Sequence, residues 1–230
     1  DLEYPMAEIF AFSIWAYGAT VVLASSTSGK KDLDEIEPSF VVNEINCPSI
    51  ESLKNYSTEF MPTFRPALLH EALIYCVAGK NIQLSHYNLL VNTNGIKKYL
   101  GLNRDDTFLV KLAPESTAWV VLQLLLPFYA AASITSINPK IILGIEGQFD
   151  NTDYIIKMNW TKISKENNII FILPENTAVL CIGDKPIHMT AIDKRNKIMK
   201  INGHSVMMGY LNEKNNEAVF RNKGMMIKRN

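Results

Sequence analysis

A chain of 230 residues, 47% hydrophobic and 20% charged, has the composition of a folded protein with a sizeable core. Its 23 Lys and Arg balance 23 Asp and Glu, so the net charge is +0 and no basic footprint for nucleic acid or an acidic membrane surface is present. Cys47, Cys76 and Cys181 are too few and too far apart for a disulfide framework or a cysteine-rich zinc site, and they fit buried thiols in an intracellular reducing compartment, cytoplasm or mitochondrion.

Residues 5–17 read as a helix entered through Pro5 and stopped at Gly18, followed by a buried strand over 19–23. Residues 32–36 suit a short acidic helix and 39–42 a further strand. The run Ser25-Ser26-Thr27-Ser28-Gly29-Lys30 looks like a phosphate cradle. However, Ala24 stands where the glycine-rich nucleotide loop needs its first glycine, and Lys31 where it needs a magnesium-binding hydroxyl, so a solvated loop is expected. Residues 43–69, rich in Pro, Ser, Asn and Glu, read as a long surface connection.

The clearest local grammar lies in residues 79–137. Gly79-Lys80 ends a short apolar segment, Ser85 is placed to cap a helix, and Leu84 and Leu89 are spaced as a hydrophobic staple. Lys97 and Lys98 suit the last turn and Gly101 a left-handed stop. A strand over 107–112, an apolar helix over 118–128 capped by Ser116 or Thr117, and a strand over 133–137 follow. The apolar runs 9–24 and 118–137 contain polar residues and divide into helix plus strand, so neither reads as a membrane span. Short β-rich runs at 141–143, 154–158, 169–173, 179–182, 187–192 and 197–201 predict an antiparallel sheet or small barrel, with a hairpin turn at Asp193-Lys194-Arg195-Asn196. The change of texture places a boundary between an α/β part, 1–140, and a β-rich part, 141–230.

Two stretches carry a family resemblance. Lys80, Ser85-His86 and Asn88-Leu89-Leu90 stand in the order of a loop lysine, a Ser-His pair and an Asn-Leu helix start. The stretch Gly203-His204-Ser205-Val206-Met207-Met208-Gly209-Tyr210-Leu211-Asn212 is similar to Gly-x-x-Val-Met-x-Gly-Tyr-x-Asn, with Glu217-Ala218-Val219-Phe220 after it. This order resembles the large domain of adenylate-forming (AMP-binding) enzymes, the superfamily of acyl-CoA synthetases, luciferases and peptide-synthetase adenylation domains. The resemblance implies an α/β fold, a cut-down adenylate-forming large domain with βα units followed by a β-rich antiparallel C-terminal part.

The resemblance also implies ATP, magnesium and acyl activation, but the sequence departs from the family where that chemistry is carried. Tyr75-Cys76-Val77-Ala78-Gly79 stands in place of the Thr-Ser-Gly-Thr-Thr-Gly phosphate loop. No Tyr-Gly-x-Thr-Glu loop is found, Asn230 stands at the ribose-gripping aspartate, and the family's C-terminal catalytic lysine has no counterpart. Lys80 and His86 remain as vestigial nucleotide- or phosphate-binding candidates; no catalytic residue, metal ligand or cofactor is expected. The expectation is a catalytically degenerate acyl-CoA synthetase-like protein, a pseudoenzyme acting as a structural or interaction subunit of a larger assembly. Other protein subunits are its expected partners, with no nucleic acid and no direct sign of a membrane, although the assembly itself is free to be membrane-associated. The alternative is a residual acyl-, CoA- or adenylate-binding module, or a ligase completed by another chain, which leaves a small-molecule ligand open.

Overall fold

A computed structural model describes the chain apart from residues 1, 3, 25–29, 44, 56–58, 60, 63–64, 78, 159–162, 196–197, 222–223 and 229–230, and apart from the side chains of 30–32 and 195. Most of the cradle-like run, together with Ala78, Asn196 and Asn230, therefore lies outside the described residues.

Helix α1 (Met6–Tyr17) follows Pro5 and ends at Gly18, whose φ of 85° is the left-handed conformation that a glycine adopts without a Cβ clash. The Trp15 indole N–H donates to Ala72 O at 2.8 Å and pins α1 to the sheet behind it. Strand β1 (Val21–Leu23) and helix α2 (Lys30–Ile36) come next. The strand expected over 39–42 does not form. Pro38 lacks a ladder donor, and Phe40 and Val41 are exposed with no neighbouring strand to pair with. In the long connection, only α3 (Ile50–Leu53), capped by Ser49, is regular among the described residues.

Strands β2 (Glu71–Val77) and β3 (Lys80–Ser85) are antiparallel, and β3 runs directly into helix α4 (His86–Leu100). Ser85 and Asn88 form the capping box, Leu84 and Leu89 are both buried, and Gly101 closes α4 with φ 63°. After β4 (Thr107–Val110), Ser116 Oγ accepts Trp119 N at 3.2 Å, as the sequence leads one to expect. The helix it opens is wound as a π-helix over Trp119–Leu125 before α5 (Leu126–Ala130). Its inner face converges on the buried Glu8 of α1, whose Oε1 accepts Trp119 Nε1 at 3.1 Å and Gln123 Nε2 at 2.8 Å.

The remaining strands are β5 (Ser133–Ile134), β6 (Ile141–Ile145), β7 (Tyr154–Lys157), β8 (Ile169–Ile172), β9 (Val179–Ile182), β10 (Lys185–Pro186), β11 (Thr190–Arg195), β12 (Ile198–Gly203) and β13 (Gly209–Tyr210). Helix α6 (Glu213–Val219), β14 (Phe220–Arg221) and β15 (Gly224–Lys228) complete the chain. Three sheets result, ordered β1-β2-β3-β13, β10-β9-β8-β7-β6-β4-β5 and β11-β12-β15-β14. Residue 140, where the texture changes, lies within the run of the second sheet, since β4 and β6 on either side of it are hydrogen-bonded neighbours.

The molecule is α/β with a β-rich C-terminal part, whose last sheet is antiparallel. Within that part, β6, β7 and β8 pair in parallel. Buried parallel strands read as continuous apolar runs, as β8 (Ile-Ile-Phe-Ile) does, so run spacing alone does not give their direction. The turn expected at 193–196 is strand as far as Arg195, which pairs with Ile198, and Asn196 lies outside the described residues. Leu73, Ile82 and Leu84 of the hairpin pack with Ile96 of α4, Phe108 of β4 and Phe171 of β8 in one core. Among the described residues, no helix is long and apolar enough to cross a membrane. None of the three cysteines is in a disulfide, and Cys76 and Cys181 are buried.

Candidate functional site

The stretch Tyr75 to Lys80, where the sequence resemblance leads one to expect a phosphate loop, lies in the β2–β3 hairpin. Val77 pairs with Lys80, which leaves only Ala78 and Gly79 between the strands, and Gly79 has φ 76° as a tight turn requires. Two residues cannot present the array of backbone N–H groups that grips a triphosphate.

Lys80 follows this turn and is exposed, with its Nζ 5.4 Å from the ring centroid of Tyr210. Tyr75, Ile82 and Tyr210 lie in one row across β2, β3 and β13, so their side chains share a face, and Lys80 lies on that same face two residues along β3. The buried Tyr210 hydroxyl donates to Glu175 Oε1 at 3.0 Å. Burial, then the Glu175 charge and this hydrogen bond, push the Tyr210 phenol well above its ordinary range. Tyr75 is also raised, first by burial and then by the charges of Glu115 and Glu175.

Glu175 is held by an unusual turn. Thr177 has φ 70° and ψ −66°, and Ala178 N donates to Asn176 O at 2.9 Å, the geometry of a γ-turn with positive φ. A β-branched residue in that region is strained, and the strain is held by its surroundings. Thr177 Oγ1 donates to Ser205 O at 2.7 Å. From α4, Asn92 Nδ2 donates to Asn176 O at 3.1 Å and to Val179 O at 2.9 Å, while its Oδ1 accepts Val179 N at 3.0 Å. Met207 N donates to Glu175 O at 2.9 Å and closes the turn from the other side.

Lys80 and His86 are not brought together. They bracket β3, and six residues of extended chain separate them by roughly 20 Å. His86 opens α4 with its ring edge-on to Trp15, 6.3 Å between centroids. Burial first, then the neighbouring charge of His70, lower its pKa. The start of α4 offers no anion site, since His86 N donates to His70 O at 3.2 Å, Tyr87 N to Leu68 O at 2.7 Å and Asn88 N to Ser85 Oγ at 3.1 Å. Among the described residues, no three His, Cys, Asp or Glu side chains are grouped to hold a metal ion.

Sequence reasoning missed Glu175, Tyr75 and the strained Thr177. The signal for the turn was Pro174-Glu175-Asn176 between two buried apolar runs. Together these groups supply one cation, two carboxylates and two phenols that stay protonated. That set can orient a polar ligand, but it repels a polyphosphate and contains no activated nucleophile. ATP with magnesium does not fit this hairpin.

Sequence comparison finds no matching family model and no matching curated protein. Structural comparison does find likenesses. Unliganded O-succinylbenzoate–coenzyme A synthetase from Bacillus subtilis matches with a TM-score of 0.74 at 12% identity, over 97% of this chain and 63% of that one. An artificially fused adenylation–PCP di-domain from Klebsiella oxytoca matches at 0.74 and 12%, over 98% and 57%. A malonyl-CoA ligase with methylmalonyl-CoA and AMP bound matches at 0.72 and 12%, over 96% and 65%. The chain thus spans about three fifths of the length of these enzymes, and at such identities the likeness carries the architecture: the chain has the adenylate-forming fold.

Proposed function

We propose that this chain is an adenylate-forming fold without the family's ATP chemistry, serving as a structural or interaction subunit of a larger protein assembly. The observation that carries the reading is the two-residue β2–β3 turn, which leaves no loop to hold phosphates. Losing such electrostatic positioning costs about 3–4 kcal/mol of transition-state stabilisation, a factor of hundreds to a thousand in rate.

Exposed apolar surface supports the partner half of the reading. The link from β6 to β7, residues 146–153, is shorter than the dozen or more residues that usually carry a covering helix between parallel strands. Tyr17, Leu69, Phe128 and Ile137 are each at least 70% exposed, apolar side chains that a partner surface would cover. The cluster of Lys80, Tyr210 and Glu175 favours a second reading, a retained small-molecule site completed by another chain.

Titration calorimetry with ATP–magnesium, AMP and a long-chain acyl-CoA, together with the native mass in the source extract, decides between them. No nucleotide binding and migration in a large complex are expected. Micromolar binding of any of the three ligands, with the mass of a monomer, overturns the interaction reading.

A further inference from the structure

The connection between α2 and α3 holds a strand-like run that the rest of the chain leaves unpaired. Residues 40–43, Phe-Val-Val-Asn, pass without a turn or bend, and Phe40 and Val41 are exposed. One edge of this run is already closed. The Asn46 side chain donates through Nδ2 to Val41 O at 2.7 Å and accepts Asn43 N through Oδ1 at 2.8 Å, the two bonds that one residue of a parallel neighbouring strand would make. Cys47 N donates to Asn43 O at 3.0 Å and Ile45 N to Asn43 Oδ1 at 2.9 Å, so the turn that carries Asn46 is itself fixed. Because Val41 O and Asn43 N reach the same amide, they point to the same side, and the N–H and C=O of Val42 between them point the other way. Neither Val42 group has a partner among the described residues.

From this geometry we infer that residues 40–43 receive an extended segment of a partner chain, which adds as a strand on the Val42 edge and carries Lys or Arg beside apolar residues. The partner's backbone satisfies the N–H and C=O of Val42, and its apolar side chains cover Phe40 and Val42, which share a face. Charge complementarity selects this occupant. Between Lys31 and Lys54 the chain has Asp32, Asp34, Glu35, Glu37, Glu44 and Glu51 and not one Lys or Arg, although its net charge is +0. A second copy pairing at this edge would set one acidic run against another, whereas a basic segment is attracted to it. The inference rests on the interaction reading above and names the chemistry of one contact within it.

The test uses the peptide acetyl-Lys-Thr-Val-Thr-Val-Lys-amide and two controls. In one, Glu replaces both Lys; in the other, the internal amides are N-methylated, which keeps the charge and blocks pairing at either edge. Each is titrated at low salt into the isotope-labelled chain at up to roughly 10 mM, enough to saturate a millimolar site. The Lys peptide is expected to move the amide signals of Val41, Val42 and Asn43 and to bind at least tenfold tighter than either control. Val42→Pro, which removes a donor that bonds nothing within the described chain, is expected to abolish that preference with the rest of the spectrum unchanged. A Lys peptide no tighter than either control, shifts confined to other residues, or no shifts at all each overturn the docking strand. Protection of the Val42 amide that grows with the concentration of the chain alone assigns the edge to a second copy and overturns the basic partner. None of these outcomes bears on the native mass, so the interaction reading is tested separately.

Discussion

Asn92 is the residue on which the Glu175 turn depends most directly, and its replacement by leucine gives a quantitative prediction. Leucine keeps the branched outline and removes three buried hydrogen bonds, to Asn176 O, Val179 O and from Val179 N. The losses are unequal. Asn176 O still accepts from Ala178 N, and Val179 O still accepts from Asn176 Nδ2 at 3.0 Å, so each forfeits about 0.5–1.5 kcal/mol. Val179 N loses its 3.0 Å acceptor and pays the desolvation of a buried donor, about 1–3 kcal/mol. With partial compensation from the apolar side chain, the sum is about 3–4 kcal/mol, a fall in Tm of roughly 10 °C for a chain of this size. Urea denaturation with a constant slope measures it directly. A loss below about 1 kcal/mol would refute the reasoning, because it would mean that the clamp is not what holds Thr177 in its strained conformation.

Three further outcomes follow from the same structure. Tyr210→Phe removes the 3.0 Å bond to Glu175 and is expected to cost about 1.5–3 kcal/mol, as hydrogen bonds to charged groups do. Because the folded phenol titrates above its unfolded counterpart, the wild type loses stability as pH rises past the ordinary phenol range, and the variant shows a shallower alkaline slope in urea titrations. For His86 the sign is reversed. Its lowered pKa keeps the folded imidazole neutral, so stability present above the ordinary histidine range falls as pH drops through it, and His86→Gln flattens that decline. Thiol labelling of the native chain, read by mass spectrometry, is expected to modify Cys47 alone, since Cys76 is buried and burial pushes the Cys181 thiol up to about 12. Rapid labelling of Cys181 would contradict its place in the core.

Legibility in the sequence followed the range of the interactions. Helix α4 was readable to the residue because its signals are local: Ser85 at the cap, Leu84 against Leu89, Gly101 at the stop. The direction of β6, β7 and β8 was not, because pairing between strands is decided by elements far apart in the chain. Phe40-Val41-Val42 has strand composition but no neighbouring edge, and composition alone does not make a strand. The hairpin illustrates the same limit at the site. Gly79 was recognised as a stop, yet only the pairing of Val77 with Lys80 turns a missing loop into a closed turn. Glu175 is not legible as a letter pattern such as Tyr-Gly-x-Thr-Glu, because the chain places this carboxylate by backbone geometry, through a γ-turn that no single residue type announces.

The two stretches that carry the family resemblance are also one mechanical joint. Asn88, in the first, closes the capping box with Ser85 through its Oδ1 and spends both amide hydrogens on the second, donating to His204 O at 2.8 Å and Val206 O at 2.9 Å. Next to it, the Tyr87 hydroxyl and His204 Nδ1 share a 3.0 Å hydrogen bond, and a few residues on, Met208 N donates to Gln83 O at 2.9 Å. Every polar atom of the Asn88 side chain is thereby satisfied inside the protein, with nothing left over for a ligand. The start of α4 and the segment before β13 therefore hold each other in place without any nucleotide between them. These residues secure the junction between α4 and the segment that joins β12 to β13.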